Sequence, residues 1–274
     1  MAELTIEDFE RTTFTHGGKQ RTVFRRGTGP AVIVMTEMPG ISPKVLRFAG
    51  WVAEIGCTAV VPHLFGDPGR DVEKESKVGV AGYMLSSIVP ACISKEFSTW
   101  AAGRTSPVVD WLRALARHEH RQCGGPGVGA IGMCFTGGFA LAMATDETML
   151  APVLSQPSMP ISLGKKGKRS IDCSPDDLAK VKVRCANEGL KVLGMRFKGD
   201  RFVPGERFRF LEEQLGDGFV AIELEDADAN PAAIMKNPHS VVTEHLIDEP
   251  GTATRAALDQ VLDLFRSKLL VGAE

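Results

Sequence analysis

From about residue 30 onward, short apolar runs rich in β-branched residues alternate with longer runs whose apolar positions recur at helical spacing. No other feature constrains the fold as strongly. Ala31-Val32-Ile33-Val34-Met35 is a continuous apolar run of strand length, the pattern of a strand covered on both faces. Behind it, Ser42 suits a helix N-cap, Pro43 the first helical position and Gly56 the stop. Between them Val45, Phe48, Ala49, Val52 and Ile55 fall on one face. Residues 58–61 form the next strand, ended by Pro62. Further along, Val108, Leu112, Leu115 and Ala116 mark a helix, 128–131 a strand and 139–149 a helix. Residues 190–195 read as a strand, 204–215 as a helix and 219–224 as the last strand. Ala256, Ala257, Val261, Leu264 and Phe265 line a final helix. Such alternation implies an α/β fold: a mostly parallel sheet of about eight strands with helices on both faces. The first ~25 residues, with a Gly17-Gly18 turn, read as an antiparallel hairpin at the sheet edge.

Two stretches interrupt the pattern. Residues 66–103 are rich in Gly, Ser and Lys, and residues 155–189 carry Pro, Gly and charge; both read as cap or pocket loops. With no internal repeat and no linker, residues 1–274 are expected to form a single domain. A content of 43% hydrophobic and 24% charged residues is that of a soluble globular protein. A net charge of -2 gives no electrostatic basis for binding nucleic acid or an anionic membrane surface. The basic run Lys165-Lys166-Gly167-Lys168-Arg169 reads as a solvated loop. No stretch approaches the ~18 consecutive apolar residues of a membrane span. Met1-Ala2-Glu3-Leu4-Thr5 has neither the basic nor the apolar region of a secretory leader. The six cysteines, at 57, 92, 123, 134, 173 and 185, contain no Cys-x-x-Cys pair and no metal-ligand spacing with His. Free thiols in a reducing cytoplasm are therefore expected, with neither metal nor cofactor.

Open sheets of this kind bind ligands beyond the C-terminal ends of their strands. The residues there are Thr36-Glu37-Met38-Pro39-Gly40, then Cys134, then Lys198-Gly199-Asp200-Arg201, then Asn237-Pro238-His239-Ser240. Cys, Asp and His thus follow one another in the chain order expected of an α/β-hydrolase triad. A thiol attacks well only when deprotonated, and an imidazole in reach can take its proton. A carboxylate behind the ring fixes its tautomer and stabilises the imidazolium. Cys134 lies on the strand-to-helix turn Gly132-Met133-Cys134-Phe135, which would expose its side chain. The backbone N–H of Phe135 is one expected oxyanion donor and that of Met38 a second.

Rivals exist for each role. His245 and His63 compete with His239, and Asp226 and Asp228 compete with Asp200, although the two aspartates follow the wrong strand. Gly127-Val128-Gly129-Ala130-Ile131-Gly132 matches the letters of a dinucleotide fingerprint, but that motif must follow a strand, and this one lies within it.

In order along residues 29–266, Thr36-Glu37-Met38-Pro39-Gly40, Gly132-Met133-Cys134-Phe135-Thr136-Gly137, Gly199-Asp200-Arg201-Phe202-Val203-Pro204 and Pro238-His239-Ser240 resemble the dienelactone hydrolase family. The resemblance implies an α/β-hydrolase fold and a triad of Cys134, Asp200 and His239, with Glu37 against the thiol. A carboxylate there would disfavour a second negative charge and hold Cys134 as a thiol until substrate displaces it. The chain departs from the family at two places. Thr136 stands where the elbow Gly-x-Cys-x-Gly has its second glycine. Thr243 stands where the family carries a carboxylate-binding arginine, and Ile88-Val89-Pro90-Ala91-Cys92-Ile93 offers no second one. The expected function is cleavage of a small ester, lactone or thioester through a cysteine nucleophile. The alternatives are a small-ligand-binding protein on the same scaffold and a redox thiol protein, for which Cys123 is poorly placed as resolving partner. Oligomeric state is not legible in the sequence.

Overall fold

The computed structural model describes residues 4–271 apart from 77, 81, 84, 88–95, 98–103 and 160–163. Its strands are β1 (Glu10–His16), β2 (Lys19–Gly27), β3 (Ala31–Met35), β4 (Thr58–Pro62), β5 (Val128–Met133), β6 (Met149–Ser155), β7 (Val192–Phe197) and β8 (Phe219–Leu224). They form one eight-stranded sheet in the order β1-β2-β4-β3-β5-β6-β7-β8. The β1–β2 hairpin pairs antiparallel at the edge and β2 pairs antiparallel with β4, while every later pairing is parallel. This is the α/β-hydrolase fold.

The helices are α1 (Pro43–Glu54), α2 (Val108–Cys123), α3 (Gly137–Met143), α4 (Pro175–Glu188), α5 (Gly205–Leu215) and α6 (Ala253–Leu269). Strand side chains alternate between two cores, as the pleat requires. Ala31, Ile33 and Met35 join Leu112, Phe139, Val181 and Phe208 of α2 to α5 on one face. Val32 and Val34 join Val45, Phe48 and Val52 of α1 and Val261 and Phe265 of α6 on the other. Local signals set the helix ends. Ser42 accepts a hydrogen bond from the Val45 N–H, Pro43 opens α1, and Gly56 follows it with φ +91°.

Three expectations are corrected. The helix expected over 139–149 ends at Met143, and Met149 instead opens β6, which lies between β5 and β7. Pro152 hides this strand from a pattern reading, because a proline argues against a central strand. Yet Pro152 pairs opposite Ala130 within the ladder. Residues 155–189, expected to be irregular, include all of α4, capped by Ser174, opened by Pro175 and ended by Gly189 with φ +68°. The basic run falls on a one-turn helix, Gly164–Lys168, rather than in a loop. Lys168 pairs with Glu206 at 3.4 Å and Arg169 pairs with Glu213, tying this turn to α5. Among the described residues, no helix is long and apolar enough to cross a membrane.

Candidate active site

Four strand ends carry the site. After β5 the chain turns at once into the short helical turn Cys134–Thr136 and then α3. Cys134 adopts φ +56°, a left-handed conformation that costs a non-glycine residue roughly 1–3 kcal/mol. The turn has room for nothing larger than glycine on its inner side. A Cβ at Gly132 would lie 2.1 Å from the Thr136 carbonyl oxygen, and one at Gly137 would lie 2.5 Å from Pro157 Cα.

Thr136, where the family pattern has glycine, is fully buried and braces the turn. Its Oγ1 accepts the Met133 N–H at 2.9 Å and lies 3.1 Å from the Met35 carbonyl oxygen, linking the β5 elbow to the end of β3.

The other expected residues converge on Cys134. His239 is buried, and its Nδ1 lies 2.7 Å from Asp200 Oδ2. Asp200 Oδ1 accepts the Phe202 N–H at 2.9 Å, which fixes the carboxylate's rotamer. Burial alone would lower the basicity of the His239 imidazole. Negative charge on Cys134 and hydrogen bonding of the ring to Asp200 and Cys134 outweigh it and hold the ring well above its ordinary pKa. The Phe202 ring packs edge-on against His239 with centroids 5.5 Å apart.

Met38 follows β3 in the loop between Glu37 and Pro39, and among the described residues no backbone or side-chain acceptor takes its N–H. Phe135 lies in the first turn after Cys134, where backbone N–H groups lack intrahelical acceptors. Its ring joins Phe65, Phe97 and Phe139 in an aromatic cluster.

Glu37 departs from expectation. It is buried, and among the described residues none of its hydrogen bonds goes to the sulfur. Its Oε2 accepts from Gln156 Nε2 at 3.1 Å and from Ser240 Oγ at 2.5 Å, and its Oε1 accepts from Thr243 Oγ1. Thr243, which replaces an arginine of the family, is thus a ligand of Glu37. Cys134 Sγ lies 3.1 Å from Ser158 Oγ, and the sulfur is close enough to His239 to raise the basicity of that ring.

The rivals have other duties. His245 Nδ1 accepts the N–H groups of His239 at 3.3 Å and Ser240 at 3.1 Å, and its Nε2 donates to the Met235 carbonyl at 2.9 Å. Burial lowers its pKa, which suits a neutral ring that accepts at Nδ1. Asp226 accepts the Gly199 N–H at 2.7 Å and so props the turn that carries Asp200. His63 Nε2 lies 2.7 Å from the Gly66 carbonyl.

Two side chains of the site escaped the sequence reading, Gln156 and Ser158, both just beyond the unrecognised strand β6. Gln156 adopts φ +36° and is fully buried. It donates to Glu37, and its Oε1 accepts from Ser155 and from the Val241 N–H at 3.2 Å. Once β6 is known, position alone would have drawn attention to both residues, since they follow a strand end beside the elbow. Residues 88–93, the other place where an arginine was sought, lie outside the described residues. Among the described residues no group of three or more His, Cys, Asp and Glu is arranged to hold a metal ion.

A model of the dienelactone hydrolase family matches residues 21–171, more than half of the chain. No curated protein sequence matches the chain. Solved structures of low identity share its fold. One is a dienelactone hydrolase-like promiscuous phosphotriesterase from metagenomic libraries, at 17% identity and TM-score 0.58, covering 95% of this chain and 98% of that one. Another is the dienelactone hydrolase of Anabaena variabilis ATCC 29413, at 17% identity and TM-score 0.51, covering 96% and 99%. A third is the thioesterase domain of the curacin biosynthetic pathway, at 9% identity and TM-score 0.53, covering 93% and 99%.

Proposed function

The chain belongs to the dienelactone hydrolase family and is an ester-bond hydrolase, and from that premise we propose that it cleaves a small ester, lactone or thioester through Cys134. The observation that carries this reading is the His239–Asp200 pair at 2.7 Å, with Cys134 near enough to raise the basicity of that ring and placed on a strained turn at the sheet's C-terminal edge.

The chemistry follows from those positions. Cys134, its proton on His239, attacks the carbonyl carbon, and the carbonyl electrons move onto oxygen. The N–H groups of Phe135 and Met38 are the donors for that oxyanion. As the C–O bond breaks, His239 gives its proton to the departing alkoxide, and an acyl group remains on sulfur. His239 then takes a proton from water, the water oxygen attacks the thioester, and the C–S bond breaks to release the acid. Asp200 keeps the imidazole in the required tautomer and stabilises its charged form. A ring that holds its proton well above the usual range suits the acid step.

Glu37 acts through the loop that carries His239. By binding Ser240 and Thr243 it ties that loop to the end of β3, and through Gln156 to the end of β6. Thr243 is uncharged and its hydroxyl is held by Glu37, so this position offers no cation to a substrate carboxylate, and an uncharged acyl group fits better than dienelactone itself.

A panel of activated esters, thioesters and lactones tests the reading with wild type and Cys134→Ala. Loss of ~10³-fold or more in kcat/KM is expected for the variant. Equal rates in the two proteins would contradict it and favour a binding protein on a hydrolase scaffold.

A further inference from the structure

Ser158 Oγ lies 3.1 Å from Cys134 Sγ. The family resemblance assigns no role to this hydroxyl, and its placement is not left to chance. The Ser158 N–H donates to the Cys134 carbonyl at 2.9 Å, so the backbone of the two residues is already joined. Just before it, the Gln156 N–H donates to the Met195 carbonyl at 2.8 Å. Pro157 packs against Gly137 at the start of α3, where no Cβ would fit.

The Pro157 carbonyl accepts from Arg207 Nη1 at 2.8 Å. Arg207 is fully buried, and burial lowers its pKa to about 10 despite the opposing charge of Asp200. The same guanidinium binds the carbonyls of Ser170 at 2.5 Å and Phe202 at 2.8 Å. One buried cation therefore ties the segment that presents Ser158 to the turn that presents Asp200.

We infer that Ser158 is a further catalytic residue, the hydroxyl that hydrogen-bonds the Cys134 sulfur in the place the family resemblance gives to Glu37. In the resting protein the hydroxyl donates to sulfur as its proton moves to His239, and a donor to an anion makes a short, charge-assisted bond. During attack the new C–S bond draws electron density from sulfur and this hydrogen bond weakens. When the acyl group leaves, the C–S electron pair returns to sulfur and the Ser158 O–H is aimed at it. The hydroxyl keeps its proton throughout, so no atom is transferred to or from it. The charged and titratable groups around this pair are His239 and Asp200 on one side, Arg207 behind Asp200, His245 behind His239, and Glu37 at the end of β3.

The catalytic part of this inference rests on the reading of Cys134 as nucleophile, whereas the sulfur–hydroxyl contact can be tested without turnover. The measurement is iodoacetamide alkylation of the full chain in mildly acidic buffer, followed at Cys134 by peptide mass spectrometry, beside ester hydrolysis. Loss of one such bond lowers the reactive thiolate population about tenfold. The less stabilised sulfur is more nucleophilic, which returns about threefold.

Ser158→Ala is therefore expected to alkylate Cys134 ~3-fold more slowly, and to lower kcat more than it changes KM. Ser158→Thr, which keeps the hydroxyl, should recover most of both. Equal alkylation rates in wild type and Ser158→Ala would overturn the inference. If Ser158→Ala loosens the fold, alkylation of the fully buried Cys57 reveals it. The isosteric pair Ser158→Thr and Ser158→Val then decides, with equal rates again overturning it. Wild-type hydrolysis by Cys134→Ala would sink the nucleophile reading alone and leave the alkylation result to stand or fall by itself.

Discussion

Two turns at neighbouring strand ends of this sheet hold non-glycine residues at positive φ, Cys134 after β5 at +56° and Gln156 after β6 at +36°. Each carries roughly 1–3 kcal/mol of backbone strain, but the strain serves opposite ends. Cys134 is half-buried, with its sulfur presented beside His239 and Ser158. The Gln156 side chain is sealed from solvent and holds Ser155, Glu37 and Val241 together. One turn presents the proposed nucleophile, while the other holds the scaffold around it. A strained residue at a strand end is therefore not by itself a nucleophile; the partners of its side chain decide which role it has.

Relieving both strains with glycine breaks the pair most sharply. Cys134→Gly is expected to abolish hydrolysis, by ~10³-fold or more in kcat/KM, while denaturant unfolding stays within ~1 kcal/mol of wild type. Gln156→Gly relieves similar strain but removes one of the three donors to the buried Glu37 carboxylate and takes the side-chain acceptor from the Val241 N–H. It should cost ~2–4 kcal/mol in the same unfolding measurement. Comparable stability losses at the two positions would mean that the turns do not differ as described.

The His239 titration sharpens the first turn. Negative charge on Cys134 is the strongest influence raising the ring's pKa, so Cys134→Ala should move its NMR titration midpoint down from the wild-type value. A raised histidine stabilises the folded state fully below the unfolded value of about 6.5, and this contribution is lost as pH rises through the folded value. The Cys134→Ala variant should therefore lose part of its stability below that window and match wild type more closely above it.

A smaller effect is expected at Asp172, which packs against Gly138 at the start of α3 and accepts from the Ser106 N–H at 2.8 Å. Burial pushes its carboxyl up from 3.8 to about 6, against the hydrogen bonds from Ser106. The folded state thus prefers the protonated acid, and stability from this group falls as pH rises from 3.8 to about 6. Asp172→Asn should flatten that part of the pH–stability curve and leave the rest unchanged.

How far the site was legible in the sequence follows the same division. The elbow at Cys134 left a trace because Gly132 and Gly137 have no space for a side chain, and glycines at a strand end can be read. Asp200 and His239 were legible because the strands they follow, β7 and β8, read as strands from their apolar residues despite Arg196 and Glu223. The turn at Gln156 left no such trace. A non-glycine residue occupies its left-handed position, and Pro152 masks the strand that leads to it. The direction in which Glu37 points was also out of reach, since it depends on Ser240 and Thr243, more than 200 positions away in sequence. Thr243 could be read as a missing arginine, but not as a ligand of Glu37.

In the proposed reaction the acyl group of the substrate passes through the sulfur of Cys134. The most direct test is to trap that intermediate by quenching the protein in acid during turnover of a slowly hydrolysed activated ester, then mapping the adduct by peptide mass spectrometry. An acyl adduct on Cys134 is expected, absent in Cys134→Ala and accumulating in His239→Ala supplied with a reactive thioester. An adduct on Ser158, or wild-type turnover with no adduct on Cys134 in any variant, would contradict it.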